Sequence, residues 1–177
     1  FSNAFLFLFY LLSLRIVKFW GNAPLQPKGM TLDGRNRMIV AIDPEGDHFR
    51  GAVIKNEGSV AHVKKVEVTV SELSNVCDAG NDRLRGILFE GASGSIKNNK
   101  VFNINQGASG CQEGNAIEVR NAPFDDTHPN TLSVEVHDNK VTDYQKTGII
   151  ANGDVVVVMT NNKVSDSATQ ANLAANG

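Results

Sequence analysis

Between Glu113 and Lys146 the chain collects most of the side chains whose types and spacing could do chemistry. Glu118 and Arg120 stand two residues apart in an alternating segment, so they point to one face of a strand. Glu113 lies in the loop before them, and Tyr144 and Lys146 lie in the matching loop of the next copy of the same motif. The insertion Ala122-Pro-Phe-Asp-Asp-Thr-His-Pro-Asn130 brings Asp125, Asp126 and His128. Asp125 and Asp126, with Glu118, could hold a hard cation such as Ca²⁺ through carboxylate oxygens, although an acidic turn by itself usually just faces water. Arg120 or Lys146 could meet a carboxylate or remove a proton. Lys146 is the better base, because a guanidinium titrates above about 12. No nucleotide-binding loop, Cys-x-x-Cys pair or Gly-x-Ser-x-Gly elbow occurs.

The elements that must position these groups come from a repeat. Arg85-Gly86-Ile87 returns as Asn115-Ala116-Ile117 and Thr147-Gly148-Ile149, and more loosely as Arg50-Gly51-Ala52. Each copy is followed by Lys-Val, at Lys65-Val66, Lys100-Val101, Lys140-Val141 and Lys163-Val164. The segments between are short, β-branched and alternating, and Gly, Asn, Asp and Ser clusters separate them, which is strand and turn chemistry. Lys140 to Lys163 is 23 residues, too short for a propeller blade of about 40–45 and suited to one rung of a β-solenoid. Aligning the copies predicts core columns Ala52, Ile87, Ile117, Ile149 and Ile54, Phe89, Val119, Ala151. It predicts further columns Ala61, Ile96, Val136, Met159 and Val66, Val101, Val141, Val164. Asn99, Asn139 and Asn162 lie between those last two, with Lys64 in their place in the first copy. They read as an asparagine ladder that begins at the second rung. Lys55, Glu90, Arg120, Asn152 and Val53, Leu88, Glu118, Ile150 read as outward columns, for which a solvated salt-bridge ladder is the plainest account.

Gly91-Ala-Ser-Gly-Ser-Ile-Lys-Asn-Asn-Lys-Val101, Gly110-Cys-Gln-Glu-Gly114, Asp143-Tyr-Gln-Lys-Thr-Gly-Ile-Ile-Ala-Asn-Gly153 and the Asn-Lys-Val repeats resemble right-handed parallel β-helix proteins of the pectate-lyase-like superfamily. The closest likeness is to predicted secreted bacterial members without assigned chemistry. It is strong over residues 85–167 and looser over 31–177. The resemblance implies an all-β, right-handed parallel β-helix, with an N-terminal capping helix as one option. The superfamily's enzymes are polysaccharide lyases, polygalacturonases and pectin methylesterases. The hydrolases' acidic motifs are matched here only by Asp125-Asp126, and no Gly-His-Gly follows.

At 177 residues and 41% hydrophobic, the chain can bury one core. Its net charge of −2 gives no electrostatic case for nucleic acid or an anionic membrane. Residues 1–20 form a hydrophobic N-terminal segment, 21–50 read as strands leading into the coil, and 51–177 as β-helix rungs. Five of the nine Phe residues lie in the first twenty. The apolar run from Ala4 to Leu12 is too short for a stable membrane span of about 20 residues and reads as a signal-like remnant or a capping helix. A start at Phe1 and an Asn-Gly rung cut short at Gly177 predict a fragment of a longer reading frame. Cys77 and Cys111 each precede a Gly-Ile strand. On neighbouring rungs they would suit a disulfide, which implies an oxidising compartment. Two free thiols in separate loops is the other reading.

The expectation for function is a secreted or cell-envelope coil that binds, and less readily cleaves, polysaccharide on a face around the third rung. Glu113, Glu118, Arg120, His128 and Tyr144 would contact the sugar, Lys146 or Arg120 would serve any catalysis, and Ca²⁺ is the one cofactor suggested. The alternative is a non-catalytic extracellular scaffold. The scarcity of aromatics beyond the N-terminal segment favours it, since Trp20 is the one Trp and Tyr10 and Tyr144 are the only tyrosines. The oligomeric state is open.

Overall fold

The computed structural model describes residues 30–44, 49–55, 60–73, 83–106, 113–121 and 132–165, with the backbone alone for 54, 55 and 132. These residues are all-β, and every strand pair among them is parallel. The strands are β1 (Met30–Ile42), β2 (Phe49–Lys55), β3 (Val60–Ser71), β4 (Arg83–Glu90), β5 (Ser93–Lys97), β6 (Lys100–Ile104), β7 (Asn115–Asn121), β8 (Leu132–His137), β9 (Lys140–Tyr144), β10 (Thr147–Gly153), β11 (Val155–Thr160) and β12 (Lys163–Ser165). Three ladders follow from the pairing. The first is β2-β4-β7-β10; the second joins the start of β3 to β5, β8 and β11; the third joins the end of β3 to β6, β9 and β12. Strand β1 lies along both halves of β3, with a register shift between Asp33 and Arg37. Each circuit thus adds one strand to each ladder, a solenoid-like winding that already includes Met30–Ile42. Among the described residues no helix is long and apolar enough to cross a membrane. The N-terminal segment with its predicted capping helix, and the Cys77–Cys111 pair, lie outside the described residues.

Val, Ile and Phe side chains stack inside because alternation sends every second residue to the core. The later columns keep the expected register, Ile87 opposite Ile117 opposite Ile149 and Phe89 opposite Val119 opposite Ala151, but the last-rung members Ala151 and Met159 are exposed and not part of the core. The first copy differs. Val53, not Ala52, faces Ile87, and Val63, not Ala61, faces Ile96. Val68, not Val66, faces Val101. Val66 stands in the asparagine position assigned to Lys64, between the pairs Lys64–Lys97 and Glu67–Lys100. Ala52 and Val53 are both buried in the core, so hydrophobicity there could not choose between registers one residue apart. The outward columns shift with it: Ile54 pairs with Leu88 and Lys55 with Phe89.

The corner between the second and third ladders is the most regular part of the winding. Lys65, Asn98, Asp138 and Asn161 all take the left-handed conformation, with φ of 53°, 56°, 58° and 53°. Asn and Asp tolerate this region better than most residues. The next residue in the later rungs is Asn99, Asn139 or Asn162. Asn99 Nδ2 donates to Asn139 Oδ1 at 3.1 Å, and Asn139 Nδ2 to Asn162 Oδ1 at 2.9 Å. The same oxygens accept the backbone N–H of Asn99 and of Asn139, each at 3.0 Å. Asn99 Oδ1 accepts the N–H of Val66 at 3.1 Å, so the ladder starts at the second rung while still serving the first. One rung away, Gly94 (φ 129°) must be glycine, since a Cβ there would sit 1.8 Å from the carbonyl oxygen of Ala61.

Asn139→Leu removes the partners of Asn99 N–H and of the carbonyl of Ile96, which Asn139 Nδ2 reaches at 2.9 Å. Stability should fall by about 3 kcal/mol in urea unfolding, from two unsatisfied buried groups at roughly 1–3 kcal/mol each. A loss comparable to that of an exposed surface substitution would mean the ladder carries little of the fold.

Candidate functional site

The outward side of the first ladder carries the chemistry-bearing residues. Register sets Arg85 opposite Asn115 opposite Thr147, Leu88 opposite Glu118 opposite Ile150, and Glu90 opposite Arg120 opposite Asn152. Glu118 therefore sits between two apolar neighbours and is 1% exposed. A carboxylate so desolvated must be paired. Arg85 Nε contacts Glu118 Oε2, Asn115 Nδ2 donates to the same oxygen at 2.8 Å, and Arg120 Nη1 lies 3.7 Å from Oε1. Arg85 Nη1 also donates to Glu113 Oε2 at 2.8 Å and to the carbonyl of Leu84 at 2.8 Å. Arg120 Nε faces Glu90 Oε1 at 3.4 Å, an ionic contact without hydrogen-bond alignment. Phe49 from β2 completes the cluster, with the guanidinium carbons of Arg85 and Arg120 at 5.2 and 4.9 Å from its ring centre, within cation–π range.

A cavity of about 210 Å³ opens beside this network, with Arg83, Arg85, Glu113, Asn115, Lys146 and Asn152 on its wall. It is smaller than the roughly 300–1,000 Å³ of a drug-sized ligand site, so it suits one sugar-sized or carboxylate-sized group. Arg83, Arg85, Arg120 and Lys146 against Glu113 and Glu118 leave its wall net positive. Lys146 is half-buried, held by its backbone N–H to the carbonyl of Gly114 at 3.1 Å, and has no ion-pair partner among the described residues. Asn115 Oδ1 is buried and has no hydrogen-bond partner among them either.

Four of the sequence-predicted residues thus meet at one place: Glu113, Glu118, Arg120 and Lys146. Tyr144 does not. It is 4% exposed and packs in the hydrophobic core, because it follows Ile104 in the third-ladder register rather than standing in a loop. Burial pushes its phenol above the usual 10.0. Arg120 is fixed between Glu90 and Glu118, which makes it a positioning group and not a base. Asp125, Asp126 and His128 lie outside the described residues, among which no group of three or more His, Cys, Asp or Glu side chains could hold a metal. Sequence reasoning missed Arg85, Asn115 and Phe49. Arg85 and Asn115 precede Gly86 and Ala116 in the repeat itself, a signal that was available. Phe49 had none, since it reaches Arg120 only through rung stacking.

Comparison of the chain with protein-family profiles, curated proteins and solved structures finds no match. The architecture and the charge cluster are what define this protein as an all-β, parallel, solenoid-like chain with a buried ionic network on one face.

Two outcomes test this description. Glu118→Leu leaves Arg85 and Arg120 buried without their shared anion, and should cost about 3–5 kcal/mol of unfolding free energy; a neutral result would mean the face is more hydrated than its burial implies. The Tyr144 phenol titrates above its unfolded value, so the unfolded chain ionises first as pH rises. Stability should therefore fall above pH 10.0 in the parent, and thermal melts across that range should show a smaller fall in Tyr144→Phe.

Proposed function

We propose that the chain is a right-handed parallel β-helix that binds an acidic glycan, with one carboxylate-bearing sugar seated in the cavity beside Arg85 and Lys146. The handedness rests on a general rule. A strand that crosses over to a parallel strand of the same sheet does so right-handedly in about 98% of cases, and every circuit here is such a crossover. The observation that carries the binding reading is the net-positive cavity wall on rigid strands, where Lys146 has no ion-pair partner among the described residues. Asn115 Oδ1, buried and without a hydrogen-bond partner, supplies an acceptor for a sugar hydroxyl. Lys146 would meet the carboxylate as a point charge, and Glu113 would orient Arg85. Cleavage is the weaker part of the expectation, since Arg120 is held by two carboxylates and Lys146 alone is left to act as a base. A signal-like reading of the apolar first segment and a disulfide between the two cysteines would support placement outside the cell.

A second reading has its own support. Arg85 and Arg120 are already matched within the face by Glu90, Glu113 and Glu118, which is what a rigid spacer needs and a binding site does not require. Calorimetric titration with uronate oligosaccharides and neutral counterparts, with and without Ca²⁺, decides between them. Lys146→Ala should weaken uronate binding by roughly tenfold, the worth of about 1.4 kcal/mol, and leave the melting temperature unchanged. No binding to any glycan by the parent would leave the spacer reading standing.

A further inference from the structure

The third ladder carries a second charged feature that the cavity does not use. Its outward column runs Glu67, Lys100, Lys140, Lys163 in strict register, and all three lysines are exposed. Neighbouring rungs lie about 4.8 Å apart, so three like charges stack along the coil axis, a repulsion that their exposure to water screens. Among the described residues only Lys100 has a counter-ion, Glu67 at 3.2 Å. The nearby acids are engaged elsewhere: Asp138 with His137 at 2.8 Å, and Asp143 as acceptor from Asn105 at 2.8 Å. Lys140 and Lys163 have no ion-pair partner among the described residues. Beside this column, two residues further along each strand, run Phe102, Thr142 and Ser165. Phe102 is half-buried, and Lys100 Nζ lies 4.6 Å from its ring centre.

We propose that this face is a track for a linear sulfated polysaccharide lying along the coil axis, with one sulfate over each lysine. The lysines are spaced on the scale of a single sugar unit, so their flexible side chains can reach sulfates carried along one linear chain. Lysine is a compact, hydrated point charge that imposes no planar fork on its partner. A column of lysines asks only for charges at intervals along a linear chain, which sulfate esters, strong acids that stay ionised, supply. The hydroxyls of the neighbouring column and the Phe102 ring offer sugar-facing contacts. A chain of net charge −2 does not attract polyanions at large, so recognition would depend on this register and not on bulk charge. The site stands apart from the cavity on the first ladder and does not depend on it.

The test is calorimetric titration of the full chain with a length series of sulfated galactan oligosaccharides, their desulfated counterparts and carboxylated oligomers of matched length. The Lys140→Glu/Lys163→Glu double variant should bind the sulfated trisaccharide roughly tenfold or more weakly, with an unchanged melting temperature because both sites are exposed. Affinity in the parent should rise from disaccharide to trisaccharide and fall with added salt. Lys146→Ala should leave it untouched, which separates this site from the cavity. Equal affinity of the double variant and the parent, or no binding of the sulfated series, overturns the proposal. Carboxylated oligomers, single-stranded DNA or anionic vesicles bound as tightly as the sulfated series would overturn its assignment of ligand class.

Discussion

A coiled sheet must turn corners, and at each corner backbone groups leave the strand ladder with no adjacent strand to receive them. In this chain the asparagine column answers that constraint. Each Oδ1 of Asn139 and Asn162 accepts two N–H groups from the rung before it, and each Nδ2 donates to a carbonyl of that rung, Asn139 donating also to Asn162. These bonds, largely shielded from water, hold consecutive rungs in register. Buried polar groups are costly when unpaired and specific when paired. The column thus fixes register more sharply than the Val and Ile stacks, which tolerate sliding because hydrophobic contact is not directional.

Register in turn makes the charge cluster possible. Glu118 sits opposite Leu88 and Ile150, so a displacement of one residue would carry it to the core side and strand it among valines. Held where it is, it collects Arg85 from one rung and Arg120 from its own strand, while Phe49 comes from the rung beyond. The network is a consequence of stacking. None of its long-range contacts could form in a single rung, and its charges would not survive burial singly.

How much of this could be read from the residues depends on whether a feature lies within one repeat or between repeats. The asparagine column, the later core columns and the Glu90–Arg120–Asn152 row repeat at matching positions, so sequence periodicity reveals them. The first rung does not yield, because Gly51-Ala52 imitates Gly86-Ile87 while Ala52 and Val53 are both buried, and an inside–outside pattern with two adjacent inside residues has no unique phase. Lys65-Val66 misleads for a related reason: it imitates Lys100-Val101, yet Lys65 occupies the left-handed corner. Tyr144 follows the same logic in reverse. It looks like a loop residue by its polar neighbours Asp143 and Gln145, but it pairs with Ile104 and turns inward.

The two charged faces obey opposite rules, and this bears on where recognition can occur. Inside the first-ladder network Arg85, Glu118 and Arg120 are desolvated, so they must be matched by the fold itself, and Arg120 is already committed to Glu90 and Glu118. On the third ladder water screens the lysines, so the fold can carry unmatched cations at small cost. A ligand gains most from charges that the protein has not already paired. By that reasoning the informative residues on this coil are Lys146, Lys140 and Lys163; the buried arginines frame the wall beside the first, and the asparagine column holds the rungs of the other two in register.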